Sequence, residues 1–134
     1  MRQTLKEAAA AASFAGNEGD LGRLIKASTL AALCTENFSI RIDLLGGITG
    51  QMKGRDQVRS AALEAASVCG MVNFRILDTE VKWIRGTESR ANFTLTMEGC
   101  GNRDFNAQEF QATLKKIGRR WLIDRIESVD VFEK

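Results

Sequence analysis

The residue types that could do chemistry are restricted in this 134-residue chain. Histidine and tyrosine are both absent. The commonest general base and metal ligand is therefore missing, and carboxylates, guanidinium groups and thiols remain. Asp43 follows a stretch in which Phe38, Ile40 and Ile42 alternate with Ser39 and Arg41. Its parity is opposite to the apolar set, so it is expected on the solvent side, near a turn. Arg125 and Glu127 share parity with Trp121 and Ile123. On an unbroken strand both would face inward and hold a polar ligand or each other.

Cys34, Cys69 and Cys100 are too far apart for a Cys-x-x-Cys site, and no histidine can complete a zinc set. They are expected as small, reduced apolar residues, with no metal and no cofactor. Gly46-Gly47-Ile48-Thr49-Gly50 lacks the Gly-Lys-Ser/Thr ending of a phosphate loop and is expected as a hairpin connection. Lys115, Lys116, Arg119 and Arg120 surround Gly118. Without interleaved aromatic residues they are expected as solvated turn charges. The net charge of +2 likewise predicts no nucleic-acid partner.

The elements that must position these groups follow from periodicity. Residues 3–15 carry Leu5, Ala8, Ala9 and Ala12 at helical spacing. After a break at 16–19, a second helix reaches about Cys34, with Leu21, Leu24, Ile25, Ser28 and Ala32 on one stripe. A strand spans 38–44, and the Gly-rich stretch 45–54 is turn-like. Helical spacing returns from Arg55 to Cys69 through Val58, Ala62 and Ala65. Residues 72–85 form a strand whose parity slips between Phe74/Ile76 and Val81/Trp83, predicting a bulge near Leu77 to Glu80. Ala91, Phe93, Leu95 and Met97 alternate on the next strand, then Phe110, Ala112 and Leu114. A turn at Ile117-Gly118 leads into the last strand.

Helices precede strands, which predicts an α+β fold with one domain over 1–134. Long bulged strands curl, so an antiparallel or mixed sheet is expected to wrap the three helices into a cone with a pocket. The pocket set is Phe38, Ile40, Phe74, Trp83, Phe93, Leu95, Phe110, Trp121 and Arg125, with Ile42, Ile76 and Leu114 on the same parity. No stretch reaches the ~20 apolar residues of a membrane span, so the domain is expected to be soluble and, as given, cytoplasmic. The helix-like opening leaves a removed leader or anchor open.

Three motifs carry a family resemblance over roughly residues 3 to 132. Thr35-Glu36-Asn37-Phe38 resembles the first-strand entry of the nuclear-transport-factor-2-like superfamily, which includes ketosteroid isomerase and the polyketide cyclases. Gly54-Arg55-Asp56-Gln57-Val58 resembles the opening of its third helix. Ile117-Gly118-Arg119-Arg120-Trp121-Leu122-Ile123 resembles its final hairpin. The resemblance implies a cystatin-like roll, a fold that hosts enzymes and binding modules alike.

Asp43-Leu44-Leu45-Gly46 is similar to the isomerase stretch Asp-Pro-Val-Gly, which implies Asp43 as a general base. That active site also uses a tyrosine and a protonated carboxyl, and this chain has no tyrosine. The dehydratase branch needs histidine as well. Asp78, Asp124 and Arg125 supply the residue types of the epoxide-hydrolase Asp-Arg-Asp arrangement, without a positional match. The expectation is a non-catalytic domain that binds a small apolar ligand in the cone or serves as an assembly module. The alternative is an isomerase- or cyclase-like enzyme working through Asp43.

Asn92, Thr94, Thr96, Gln111 and Thr113 take the outward parity of the middle strands, joined by Leu122 and Ile126 on the last. A sheet face this poor in charge predicts a homodimer built through it.

Overall fold

The computed structural model describes residues 2–15, 19–44, 48–99 and 105–129, with the side chains of 43, 44, 48, 49 and 105–107 left aside. Helices α1 (Arg2–Ala12) and α2 (Asp20–Ala32) come first. Strands β1 (Cys34–Leu44) and β2 (Ile48–Lys53) follow, then α3 (Gly54–Cys69). The remainder is strand: β3 (Val72–Arg85), β4 (Glu88–Gly99), β5 (Phe105–Ile117) and β6 (Arg120–Ser128).

The alanine content of α1 favours helix and allows close packing. It buries Thr4, Leu5, Ala9 and Ala11. Ser13 fastens its end to the sheet, accepting the Phe74 N–H and donating to the Ala9 carbonyl, both at 2.8 Å. In α3, Gly54 at φ +80° makes the sharp entry. Asp56 sits in the first turn, where the helix dipole favours a carboxylate.

One helix turns the other way from its expected stripe. α2 buries Ala27 and Ala31, while Leu21, Leu24 and Ile25 are 71%, 46% and 58% exposed. The small residues, not the bulky ones, let α2 approach its neighbours.

The six strands form one unclosed, curved mixed sheet in the order β2-β1-β6-β5-β4-β3. β1 runs parallel to β6, and every other neighbouring pair is antiparallel. β2 occupies part of the stretch expected to be a turn. Its Gly50 and scattered polar residues hide a period of two, and it needs only one partner because it lies at the sheet edge.

Leu5, Leu114 and Ile123 are at most 1% exposed and form the centre of the main core with Phe38, Phe93 and Phe110. The rings of Phe93 and Phe110 stack with centroids 5.7 Å apart. A second cluster joins Phe14, Ala66 and Val72, with Phe74 and Met97 against it. No described helix is long and apolar enough to cross a membrane.

Candidate functional site

Register decides which side chains face the helices. The expected bulge in β3 lies between Leu77 and Glu80, where Asp78 takes φ +53°. A second shift follows at once: Val81 pairs with Ala91 but Trp83 pairs with Arg90, so Lys82 is the extra residue. Ala91 is fully buried, whereas Arg90 is its outward neighbour on β4. Trp83 is therefore on the outer face, with the Arg90 guanidinium 5.4 Å from its ring centre. Its expected place in the pocket is corrected by that second bulge.

β6 carries a similar slip. Leu114 pairs with Ile123 and Thr113 with Arg125, leaving Asp124 as the extra residue. The bulge rotates the rest of the strand. Ile126 turns inward against the main core, while Arg125 and Glu127 face out and meet each other at 3.5 Å. The Arg125 side chain is 59% exposed, so it does not join the inner face. Ile126 correspondingly leaves the outer strip to which it was expected to add apolar area.

The remaining pocket set divides by depth. Phe38, Phe93, Phe110 and Leu114 are under 5% exposed and fill the interior. Trp121 packs against that core from one side. Phe74 belongs to the second cluster instead. Ile40, Ile42, Ile76, Leu95 and Ile126 share the inner face around these sealed residues, and all five stay only partly buried. Two ladder pairs lie within this aliphatic band, Ile40 opposite Ile126 and Ile76 opposite Leu95, on either side of β5.

Polar groups cluster where β1 begins. Three residues of β1 bulge out between its Cys34 and Ser39 contacts with β6. The Thr35 hydroxyl donates to Asp124 Oδ1 at 2.7 Å, and Lys115 Nζ lies 3.6 Å from Asp124 Oδ2. Arg55 Nε donates to the Cys34 carbonyl at 2.8 Å, and Ile123 N–H to the Leu33 carbonyl at 2.8 Å. Each of the three sequence motifs thus places one residue, Thr35, Arg55 or Ile123, in the bonds around the start of β1. This network is structural, since its groups are spent on one another.

Asp43 pairs with Thr49 in the β1–β2 ladder, but its side chain lies outside the described residues, as do Gly46 and Gly47. Asp78 and Asp124 cannot share a site through the sheet. β4 and β5 separate their strands, which sets the backbones about 14 Å apart. Among the described residues, no group of acidic, cysteine or histidine side chains could hold a metal.

Cys69 departs from expectation, and Cys34 does not. Cys34 is a buried free thiol, but Cys69 is disulfide-bonded, and Cys100 lies outside the described residues. Distance along the chain conceals the bond, because the β3–β4 ladder returns Gly99 to Val72, close to Cys69. Burial pushes the Cys34 thiol up to about 12, only partly opposed by the positive charge of Arg55.

A cavity of about 350 Å³ lies along α3, beside β2, and is lined by Met52, Asp56, Gln57, Ser60, Ala61 and Glu64. It is shallow and unrelated to the aliphatic band.

No protein-family model and no curated protein matches this sequence. Solved structures do. A nuclear-transport-factor-2-like protein with a cystatin-like fold from Novosphingobium aromaticivorans matches with TM-score 0.67 and 16% identity, over 99% of this chain and 83% of its own. A nuclear-transport-factor-2-like protein of unknown function from Pseudomonas putida matches with TM-score 0.67 and 13% identity, over 98% and 84%. A protein provisionally named a scytalone dehydratase, also from N. aromaticivorans, matches with TM-score 0.68 and 11% identity, over 96% and 81%. At these identities the likeness concerns the fold. This chain has the cystatin-like α+β fold of nuclear-transport-factor-2-like proteins.

Proposed function

We propose that this chain is a non-catalytic binding domain that seats a small apolar molecule against the inner face of its sheet. One observation carries the reading: several aliphatic side chains of that face are left partly open. Phe93, Phe110 and Leu114 are sealed, yet Ile40, Ile42, Ile76, Leu95 and Ile126 remain partly open. Partly open aliphatic side chains on a concave surface gain free energy when a ligand covers them, at ~25 cal/mol per Å².

Thermal-shift screening with steroids, polyketides and fatty acids tests this. A ligand at a hundred times its Kd adds about 2.7 kcal/mol of stability. Leu95→Trp and Ile76→Trp fill the band and should remove the shift while the fold persists. Asp43→Asn should leave binding unchanged. If no compound raises the melting temperature, the reading is wrong. If Asp43→Asn abolishes an activity found with a bound compound, the isomerase-type alternative replaces it.

The outer face supports a second proposal, the expected homodimer. Its strip of Asn92, Thr94, Thr96, Gln111 and Thr113 is partly buried and uncharged, and Gln111 donates to Asn92 at 3.3 Å.

A further inference from the structure

Three segments distant in sequence meet at the end of the sheet that carries the β3–β4 and β5–β6 turns. Thr4 Oγ1 donates to the Trp121 carbonyl at 2.9 Å, holding the first turn of α1 beside the start of β6. Lys116 N–H donates to the Thr87 carbonyl at 2.7 Å, fixing the β3–β4 turn against β5. The β5–β6 turn at Gly118-Arg119 closes the same end.

Each segment brings exposed cations. Arg2 and Lys6 come from α1, Arg85 from β3, and Lys116, Arg119 and Arg120 from the last hairpin. None of the six has an ion pair among the described residues. Lys115 is neutralised by Asp124, and only Glu7 and Glu88 oppose the others from these segments. The whole chain is only +2, so the rest is net acidic and the positive charge is concentrated here.

Apolar residues project at the same end. Ile84 is 56% exposed and Ile117 is 55% exposed. Bulky aliphatics at the tips of basic hairpins match the interfacial pattern of a surface that rests on a bilayer, with apolar groups entering the headgroup region and cations against anionic lipid. Nucleic acid would call for open aromatic faces, but Trp121, next to Arg120, packs against the main core and Trp83 is covered by Arg90.

We propose that this end of the protein docks on an anionic lipid surface, with Ile117 and Ile84 entering the headgroup layer and Arg85, Lys116, Arg119 and Arg120 facing lipid anions. Charge complementarity selects this partner over a neutral membrane. The proposal is independent of the ligand reading, because the two surfaces share no residue.

Co-sedimentation with phosphatidylcholine vesicles, with and without phosphatidylserine, tests it. The full chain should bind only the phosphatidylserine vesicles and be released by added salt, which screens exposed charges. Removing each cation should weaken binding about fivefold. Arg119→Glu with Arg120→Glu should therefore abolish it, and Ile117→Asp should weaken it without changing the overall fold by circular dichroism. Lys116→Ala provides the same reading should the double variant not fold. Absence of wild-type binding to phosphatidylserine at low salt overturns the proposal, as does full binding by the folded double variant. Equal binding to duplex DNA, with Ile117→Asp indifferent, also overturns it in favour of general polyanion attraction.

Discussion

The Thr35 hydroxyl donates to Asp124 Oδ1 at 2.7 Å, joining the bulge that opens β1 to the bulge in the middle of β6. Two irregular strands are fixed by one bond. Thr35 is 5% exposed and the Asp124 side chain 16%, so neither group is readily rehydrated when its partner is lost. Thr35→Val keeps the shape and removes the donor, and should cost about 2 kcal/mol in urea unfolding. Lys115→Met removes the longer, half-exposed contact and should cost less than about 1 kcal/mol. Equal costs for the two variants would remove Thr35 from its central role.

Gly99 and Gly118 both have positive φ, but they should respond differently to alanine. A Cβ on Gly99, at φ +99°, would lie 2.4 Å from the Met71 carbonyl oxygen. One on Gly118, at φ +65°, would meet nothing within 4 Å. Gly118→Ala should cost only the backbone strain, about 1 kcal/mol. Gly99→Ala adds a backbone collision and should cost more than about 3 kcal/mol. Similar melting temperatures for the two variants would contradict the close β3–β4 approach.

Cys34 should report on burial through pH. Its folded-state value is raised from 9.0 to about 12 by burial. The folded protein therefore holds the proton where the unfolded chain releases it. The contribution is fully present below pH 9.0 and is lost as pH rises toward 12. The loss across that window is on the order of 4 kcal/mol. Cys34→Ala should flatten this part of the alkaline stability profile relative to wild type. Native protein should also resist alkylation at Cys34, and denaturation without reductant should label Cys34 but not Cys69.

The order of elements other than β2 was legible because helical and strand periods separate cleanly elsewhere in this chain. The bulge at Leu77 to Glu80 was legible too, because Phe74/Ile76 and Val81/Trp83 cannot share one unbroken parity. The next slip, at Lys82, left no such trace. An amphipathic tryptophan suits either face, and only the Arg90 pairing places it. Asp124 was hidden in the same way: a single inserted residue reverses Arg125, Ile126 and Glu127 together, with no glycine or proline to mark it. β2 lacks alternation because an edge strand needs little of it. The α2 stripe misled because bulky side chains suggest a buried face, while alanines made the closer contact. Each motif contributes one residue to the bonds around the start of β1, and the partners Leu33, Cys34 and Asp124 lie just outside the motifs.

The outer sheet face should form a two-fold dimer, and the bulge in β6 changes how that is tested. Thr94 and Thr96 stand on β4 facing away from the core, opposite in parity to buried Phe93 and half-buried Leu95. Both are short and uncharged, and one lysine there would be presented twice across a two-fold axis. Thr94→Lys with Thr96→Lys should give monomers that keep the wild-type melting profile of an isolated chain. Ile126→Lys should behave differently. Ile126 packs against the main core, so a buried ammonium should destabilise the fold by several kcal/mol instead of separating intact copies. Sedimentation at micromolar concentration distinguishes these outcomes. A wild-type species near twice 14.8 kDa, converted by the double lysine variant to one near 14.8 kDa, is the expected result. A wild-type chain already running at 14.8 kDa would make the strip a solvated sheet face.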